Sequence, residues 1–303
     1  MDYELKRSNK LDGILLINKE KDYTSHDVVA IVKKALGEKV GHTGTLDPNA
    51  TGILPLLIGN GTKLSKYLIN HDKVYTATLK LGIKTDTADS TGNVMQEEEV
   101  EKFDNSYIEK VLQSFVGKQE QVPPMYSAIK VNGKKLYEYA KKNQEVTVEP
   151  RQIKIYSMKL DKYIREKNEI VFTVNCSKGT YIRTLCEDIA QMLKTIGHMK
   201  ELNRLKVGEF CIQDAVTIEE LKQNSKSAQW LEEHIITIEE LLKNNPKIKL
   251  DSSRLRLFLN GGKLNVSNKD GLYLIYNSDK FIGTGVVLNN QLKRDVIINI
   301  DHL

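Results

Sequence analysis

Between residues 39 and 59 the chain reads KVGHTGTLDPNATGILPLLIG, a run in which four glycines and two prolines surround one acidic side chain, Asp47. Gly41, Gly44 and Gly52 open backbone angles closed to other residues, and Pro48 biases Asp47 toward an extended conformation. The stretch reads as a platform that aims a carboxylate. Asp-Pro alone is a common turn starter, and the patterning around it sets this one apart. A carboxylate so mounted acts as a nucleophile or stabilises positive charge at a sugar carbon. Arg183, in CSKGTYIRTLCEDIAQML, falls in the first turn of the helix expected after a turn at Gly179. A cation there opposes the helix dipole and calls for an offsetting partner such as a carboxylate; the alternative is a solvated arginine. From 130 to 142, KVNGKKLYEYAKK sets Lys130, Lys134, Lys135, Lys141 and Lys142 against one acid, Glu138, with Tyr137 and Tyr139 between them. That mixture suits a phosphate backbone with stacked bases, or else forms a solvated helix face.

Other chemistries lack their residues. Neither a GxGxxG nor a GxxxxGK[ST] run occurs in a strand-to-helix setting, and no hydrolytic triad is evident. Cys176, Cys186 and Cys211 are odd in number and without CxxC spacing, so they read as reduced and structural, and the six histidines form no HxH or HxxxH pair. No metal and no cofactor are expected. A net charge of +5 tilts toward an anionic partner. With 40% hydrophobic and 28% charged residues, no window approaches the roughly 20 apolar residues of a bilayer span. The first residues, MDYELKRSNKLDG, carry charge but no apolar core of a secretory signal, so a cytoplasmic address is expected.

The elements that must position these groups follow from periodicity. DGILLIN and ILPLLIG read as strands, SHDVVAIVKKAL as an amphipathic helix with Val28, Val29, Val32 and Leu36 on one face, and GTKLSKYL as a short helix. In VYTATLKLG, Tyr75, Ala77, Leu79 and Leu81 fall on one side of a half-buried strand. KTDTADSTGN is a polar loop, and a helix follows near 105–116. EIVFTVNC is a strand, and in the helix after Gly179 the residues Ile182, Leu185, Ile189, Met192 and Leu193 face a core. Composition turns polar and lysine-rich around 223–250, placing a domain boundary near 246; short strands with Asn, Ser, Asp and Gly turns then mark a small β-domain. At that size it is marginal alone and is expected to pack on the larger part.

GHTGTLDPNATGILPLLIGNGTKLSKYL resembles the catalytic motif of the TruB family of tRNA pseudouridine synthases. VYTATLKLGIKTDTADSTG, QVPPMYSAIKVNGKKLYEYA, CSKGTYIRTL and RLKVGEF occur in that family's order, so the resemblance covers most of residues 11–215. It implies an α+β pseudouridine synthase fold, with a mixed, largely antiparallel central sheet flanked by helices and a small C-terminal PUA-like β-domain. The division would be a catalytic domain at 1–246, with an RNA-binding insert at about 118–152, and an RNA-binding β-domain at 247–303. The implied reaction is isomerisation of uridine 55 in the T loop of tRNA on a flipped-out base.

By the same resemblance Asp47 is the catalytic aspartate, attacking at the base or at the sugar C1′. Arg183 is the arginine that pairs with it. Tyr75 is the tyrosine that stacks on the uracil and takes part in removing the C5 proton. His42 would help hold the T loop, Tyr181 and Leu202 would line the uridine pocket, and Lys19 would support the site. Where the family pattern reads Lys-Pro followed by Gly two residues on, this chain has Glu20 and Asp22, so a looser loop is expected beside Lys19. Lys130, Lys134 and Lys135 would grip the RNA. The partner implied is the T arm of tRNA, with no membrane, no obligate protein partner and a monomeric chain. The competing readings are a related synthase with another target uridine or a guide RNA, a tRNA-binding chaperone without catalysis, and a carboxylate glycoside hydrolase. The compact chain without basic tails, the intact Asp47 and Arg183, and the want of a second catalytic acid weigh against these in turn.

Overall fold

The structure is a computed structural model that describes residues 11–69, 71–142, 144 and 146–298; the N-terminal run read for a secretory signal lies mostly outside them. The first strand, β1 (Gly13–Lys19), is buried along nearly its whole length, as its continuous apolar run requires of a strand covered on both faces. Helix α1 (Ser25–Leu36) starts where Thr24 and Asp27 cap one another: Asp27 N–H donates to Thr24 Oγ1 at 3.0 Å and Thr24 N–H to Asp27 Oδ2 at 2.8 Å. It ends at Gly37, whose left-handed backbone is cheap only for glycine. Val28, Val32 and Leu36 pack it on the sheet.

The quoted loop joins β2 (Val40–His42) to β3 (Thr51–Ile58), and a 3-10 turn with α2 (Ser65–Leu68) leads into β4 (Lys73–Leu81). The polar loop after β4 is more ordered than its composition suggests, because β5 (Ile83–Thr85) and β6 (Val94–Glu97) pair across it. Then come α3 (Asn105–Ser114), β7 (Gly117–Gln121), the hairpin of β8 (Lys130–Val131) and β9 (Lys134–Lys135), and α4 (Leu136–Ala140). The long β10 (Arg151–Ile164) and β11 (Glu169–Cys176) precede α5 (Ile182–Met192), and β12 (Gly197–Val207) and β13 (Phe210–Cys211) follow it. Helices α6 (Ile218–Asn224), α7 (Ala228–His234) and α8 (Ile238–Leu241), with β14 (Ile235–Thr237) among them, close this part.

Among the described residues ten of these strands form one sheet, in the order β14-β1-β3-β12-β4-β11-β10-β7, with β2 on β3 and β13 on β12. The pairing of β3 with β12 is parallel and every other is antiparallel, as expected for a mixed, largely antiparallel sheet. α5 lies on the sheet through Ile182, Leu185, Cys186, Ile189, Ala190 and Leu193. Met192 departs from the expected core set and is 52% exposed. The buried stripe is centred nearer Cys186 and Ala190, which leaves Met192 on its solvent edge in the last turn.

A second, curled sheet holds β15 (Lys247–Lys249), β17 (Gly271–Asn277), β18 (Lys280–Leu288), β19 (Gln291–Ile297) and β16 (Leu264–Asn265), with α9 (Ser252–Leu259) against it. Leu274, Tyr276, Phe281 and Val296 of this sheet share one apolar cluster with Leu64, Ile238 and Leu242. Asp295 accepts hydrogen bonds from Lys66, Tyr67 and Thr284, and Lys63 Nζ donates to Ile297 O at 3.0 Å.

Candidate active site

Asp47 sits on a loop held from three sides. Ser25, in the first turn of α1, both donates to Leu46 O at 3.1 Å and accepts from Leu46 N–H at 2.9 Å. Lys19, at the end of β1, is fully buried and its ammonium donates to Glu20 O, Tyr23 O and Pro48 O at 2.9, 2.7 and 3.1 Å. Arg204, on β12, donates from Nη2 to Gly44 O at 3.1 Å and from Nε to Ile53 O at 2.8 Å. Of the three glycines read as conformationally necessary, Gly52 alone takes a positive φ, +109°. It is also where β12 comes closest, since a Cβ there would lie 2.3 Å from Arg204 O. Gly41 and Gly44 adopt backbone angles open to other residues.

The departure at Glu20 and Asp22 leaves the neighbouring turn closed. Asp22 takes φ +70°, a left-handed conformation that aspartate tolerates better than most residues, and its N–H donates to Pro48 O at 2.8 Å. Burial pushes the Lys19 ammonium down to about 8, with the nearby Asp47 carboxylate opposing. The three carbonyls around it are matched by the three N–H groups that only the charged form carries.

The partner that Arg183 called for is Asp47. Arg183 Nε lies 3.1 Å from Asp47 Oδ2, and Nη1 lies 3.8 Å from Asp89 Oδ2. Its remaining donors go to Thr87 O at 3.2 Å and Tyr126 O at 2.8 Å. The guanidinium is thus fixed on all sides, with its side chain 7% exposed, while the Asp47 side chain stays 36% exposed. Burial raises the Asp47 carboxyl above the ordinary aspartate range; Arg183 opposes that rise, and Asp89 reinforces it. Asp89 is held in turn by Thr87 Oγ1, Thr91 Oγ1 and Thr91 N–H, at 2.9, 2.6 and 2.9 Å.

Tyr75 and Leu202 bring their side chains into the same apolar cluster as Leu46, on neighbouring strands. Burial pushes the Tyr75 phenol up, and the Arg204 cation opposes that rise. Tyr181 precedes α5, and its backbone N–H and C=O are both bonded by the Gln121 side chain, at 2.8 and 3.0 Å. His42 ends β2 with its ring 5.7 Å from that of His26, edge to face, and its buried Nδ1 has no partner. Burial pushes the His42 ring down, and His26 adds to that. Lys130 and Lys134 are exposed on the β8–β9 hairpin; the Lys135 ammonium lies over the Tyr137 ring at 5.4 Å. A cleft of about 890 Å³ lined by His71, Tyr156, Phe210 and Leu241 shares none of the site's residues.

Asp89, Arg204, Gln121 and Ser25 escaped the reading of the sequence. Asp89 lies in a polar loop without periodicity, where an aspartate resembles any solvated one. Arg204 did carry a signal: strand alternation puts it on the face of Leu202, so it is a charge at a core position.

The fold has known counterparts. It overlays a chain of a solved Cbf5–Nop10–Gar1 complex with TM-score 0.67 at 25% identity, covering 92% of this chain and 79% of that one. It also overlays a chain of an H/ACA ribonucleoprotein bound to a substrate RNA containing 2′-deoxyuridine, with TM-score 0.68 at 22% identity over 95% and 86%. The fold is that of the pseudouridine synthases. Residues 32–182 match the TruB family pseudouridylate synthase N-terminal domain, and residues 183–243 the tRNA pseudouridylate synthase B C-terminal domain. The tRNA pseudouridine synthase B of Clostridium kluyveri is 43% identical over 93% of this chain and 98% of its own length. That of Mesoplasma florum is 51% identical over 70% and 74%, and that of Bacillus subtilis 43% over 84% of each. The chain belongs to the TruB family of tRNA pseudouridine synthases.

Proposed function

We propose that this enzyme isomerises uridine 55 in the T loop of tRNA, with Asp47 as the nucleophile on a flipped-out nucleotide. The observation that carries this reading is the asymmetric ion pair: a buried, immobilised Arg183 lies 3.1 Å from an aspartate that still faces an opening. An anion so placed attacks at uracil C6 or at sugar C1′. The N1–C1′ bond breaks, the retained uracil rotates, and C5 joins C1′. Tyr75 stacks on the uracil and takes part in removing the C5 proton, while Tyr181 and Leu202 line the pocket and Lys19 supports the Asp47 loop from below. Excluding water strengthens each of these electrostatic contacts.

His42 helps hold the rearranged T loop. Lys130, Lys134 and Lys135 grip the phosphate backbone. In this reading residues 1–246 form the catalytic domain, with an insert at about 118–152, and residues 247–303 form a PUA-like RNA-binding domain. The chain works as a cytoplasmic monomer without guide RNA or protein partner; among the described residues no helix is long and apolar enough to cross a membrane.

Purified protein incubated with an unmodified T-arm stem-loop should yield pseudouridine at the T-loop position in single-nucleotide mapping. Asp47→Asn should abolish product while leaving stem-loop affinity nearly unchanged. Substantial turnover by that variant, or product at another uridine, would overturn the assignment.

A further inference from the structure

Arg204 is among the largest fully buried side chains of the protein, 2% exposed, and among the described residues no carboxylate lies within ion-pair distance of it. Burying a guanidinium without an opposing charge is costly, so a fold that retains one must satisfy its donors in another way. Here they are satisfied by the catalytic loop. Nε bonds Ile53 O and Nη2 bonds Gly44 O, one carbonyl on each side of Asp47 in the chain. In the sheet Arg204 stands directly across from Tyr75, on the strand that also carries Leu202, and its positive charge opposes the rise that burial imposes on the Tyr75 phenol. One side chain therefore bonds both ends of the loop that carries the carboxylate, from the position across from the aromatic ring assigned to the base.

The close approach behind it has the same purpose. β12 and β3 run parallel at Asn203–Thr51 and Arg204–Gly52, and Gly52 leaves no room for a side chain between the Arg204 backbone and the loop. The arginine is seated by its own main chain before its side chain reaches the two carbonyls. A lysine would not reproduce this contact, since Nε and Nη2 reach the two carbonyls from different points of a rigid planar fork, whereas an ammonium donates from a single nitrogen.

We propose that Arg204 is a positioning residue for the isomerisation, clamping the Asp47 loop at Gly44 and Ile53 from the strand position that faces Tyr75. It acts through the loop that carries Asp47 and through the charge it sets beside Tyr75. The inference rests on the functional reading above for its consequence, but the link between Arg204 and Tyr75 is measurable without turnover.

The test uses the full chain with Arg204→Met and Arg204→Lys, an unmodified T-arm stem-loop, and protein carrying 3-fluorotyrosine. Both variants should bind the stem-loop with near-parental affinity, and the single-turnover rate of Arg204→Met should fall by about a hundredfold, the loss that a misplacement of about 1 Å produces. Arg204→Lys should recover only part of that rate. In fluorine NMR the Tyr75 resonance, identified by its loss in Tyr75→Phe, should titrate at higher pH in Arg204→Met, because the cation that favours the phenolate is gone. If Arg204→Met does not fold, Arg204→Lys carries the same two readouts. A folded variant with parental rate and parental Tyr75 titration overturns the proposal, and so does full rescue by lysine. If the parent enzyme makes no pseudouridine, the functional reading fails, while the tyrosine titration still decides whether Arg204 governs Tyr75.

Discussion

Replacing Arg183 with methionine should move the pH at which the enzyme switches on. Asp47 must be ionised to act as a nucleophile, and burial already raises its carboxyl against the attraction of Arg183. Two opposite charges about 4 Å apart attract by about 4 kcal/mol at an effective dielectric near 20. The open third of the Asp47 side chain admits water, which roughly halves that attraction, to about 2 kcal/mol. At about 1.4 kcal/mol per tenfold change, loss of the guanidinium should carry the acid limb of the rate profile upward by about 1.5 pH units. Asp89 acts in the same direction, because it too raises Asp47 and would lose its screening cation; Lys19 acts in the opposite one. The assay is the single-turnover rate on a T-arm stem-loop between about pH 5 and 9, with binding measured in parallel. A profile whose acid limb stays in place, at whatever height, would refute the role of Arg183 in keeping Asp47 charged.

Further expectations follow from single contacts. Asp89→Asn keeps the shape and one acceptor but removes the second negative charge beside Arg183, so the guanidinium bears on Asp47 alone and blunts it as a nucleophile, and turnover should drop about tenfold with affinity unchanged; a parental rate would make Asp89 a structural residue only. Gly52→Ala forces a Cβ to within 2.3 Å of Arg204 O at positive φ, and should cost about 2 kcal/mol, seen as a fall of roughly 4–8 °C in Tm. Replacing Lys134 and Lys135 by alanine should weaken stem-loop binding and flatten its dependence on salt by about one slope unit for each lysine that meets a phosphate; an unchanged slope would return the hairpin to a solvated surface.

Much of the scaffold was legible because it rests on local periodicity. Val28, Val32 and Leu36 mark α1, the alternation from Tyr75 to Leu81 marks β4, and a cation at the start of α5 calls for a carboxylate partner. That last inference named the need without the address. Asp47 lay in a conspicuous loop and could be matched to it, whereas Asp89 lay in a run whose polar composition hides the β5–β6 pairing. Strand order was equally silent. The parallel contact between β3 and β12 joins residues far apart in the chain, and no local pattern encodes which distant strand fills that place. Strand alternation marks Arg204 as a charge at a core position, but its acceptors are backbone carbonyls that have no signature in amino-acid type, so its partners stay hidden. The looser turn expected from Glu20 and Asp22 is closed instead, because aspartate accepts the left-handed angle that glycine usually supplies.

The joint between the two sheets has a consequence for any ligand that would meet both of them. Leu64 and Tyr67 lie just after the strand that follows the catalytic loop, and they pack into the terminal sheet, with Asp295 bonded to Lys66 and Tyr67 across the seam. A domain on a slack tether would have to lose orientational freedom each time it engaged a ligand, and affinity would suffer accordingly. On the reading proposed above, in which the terminal sheet also binds RNA, a seam packed in this way sets the separation between the two contacts, so an RNA whose gripping points stand at the wrong distance would seat in one of them alone.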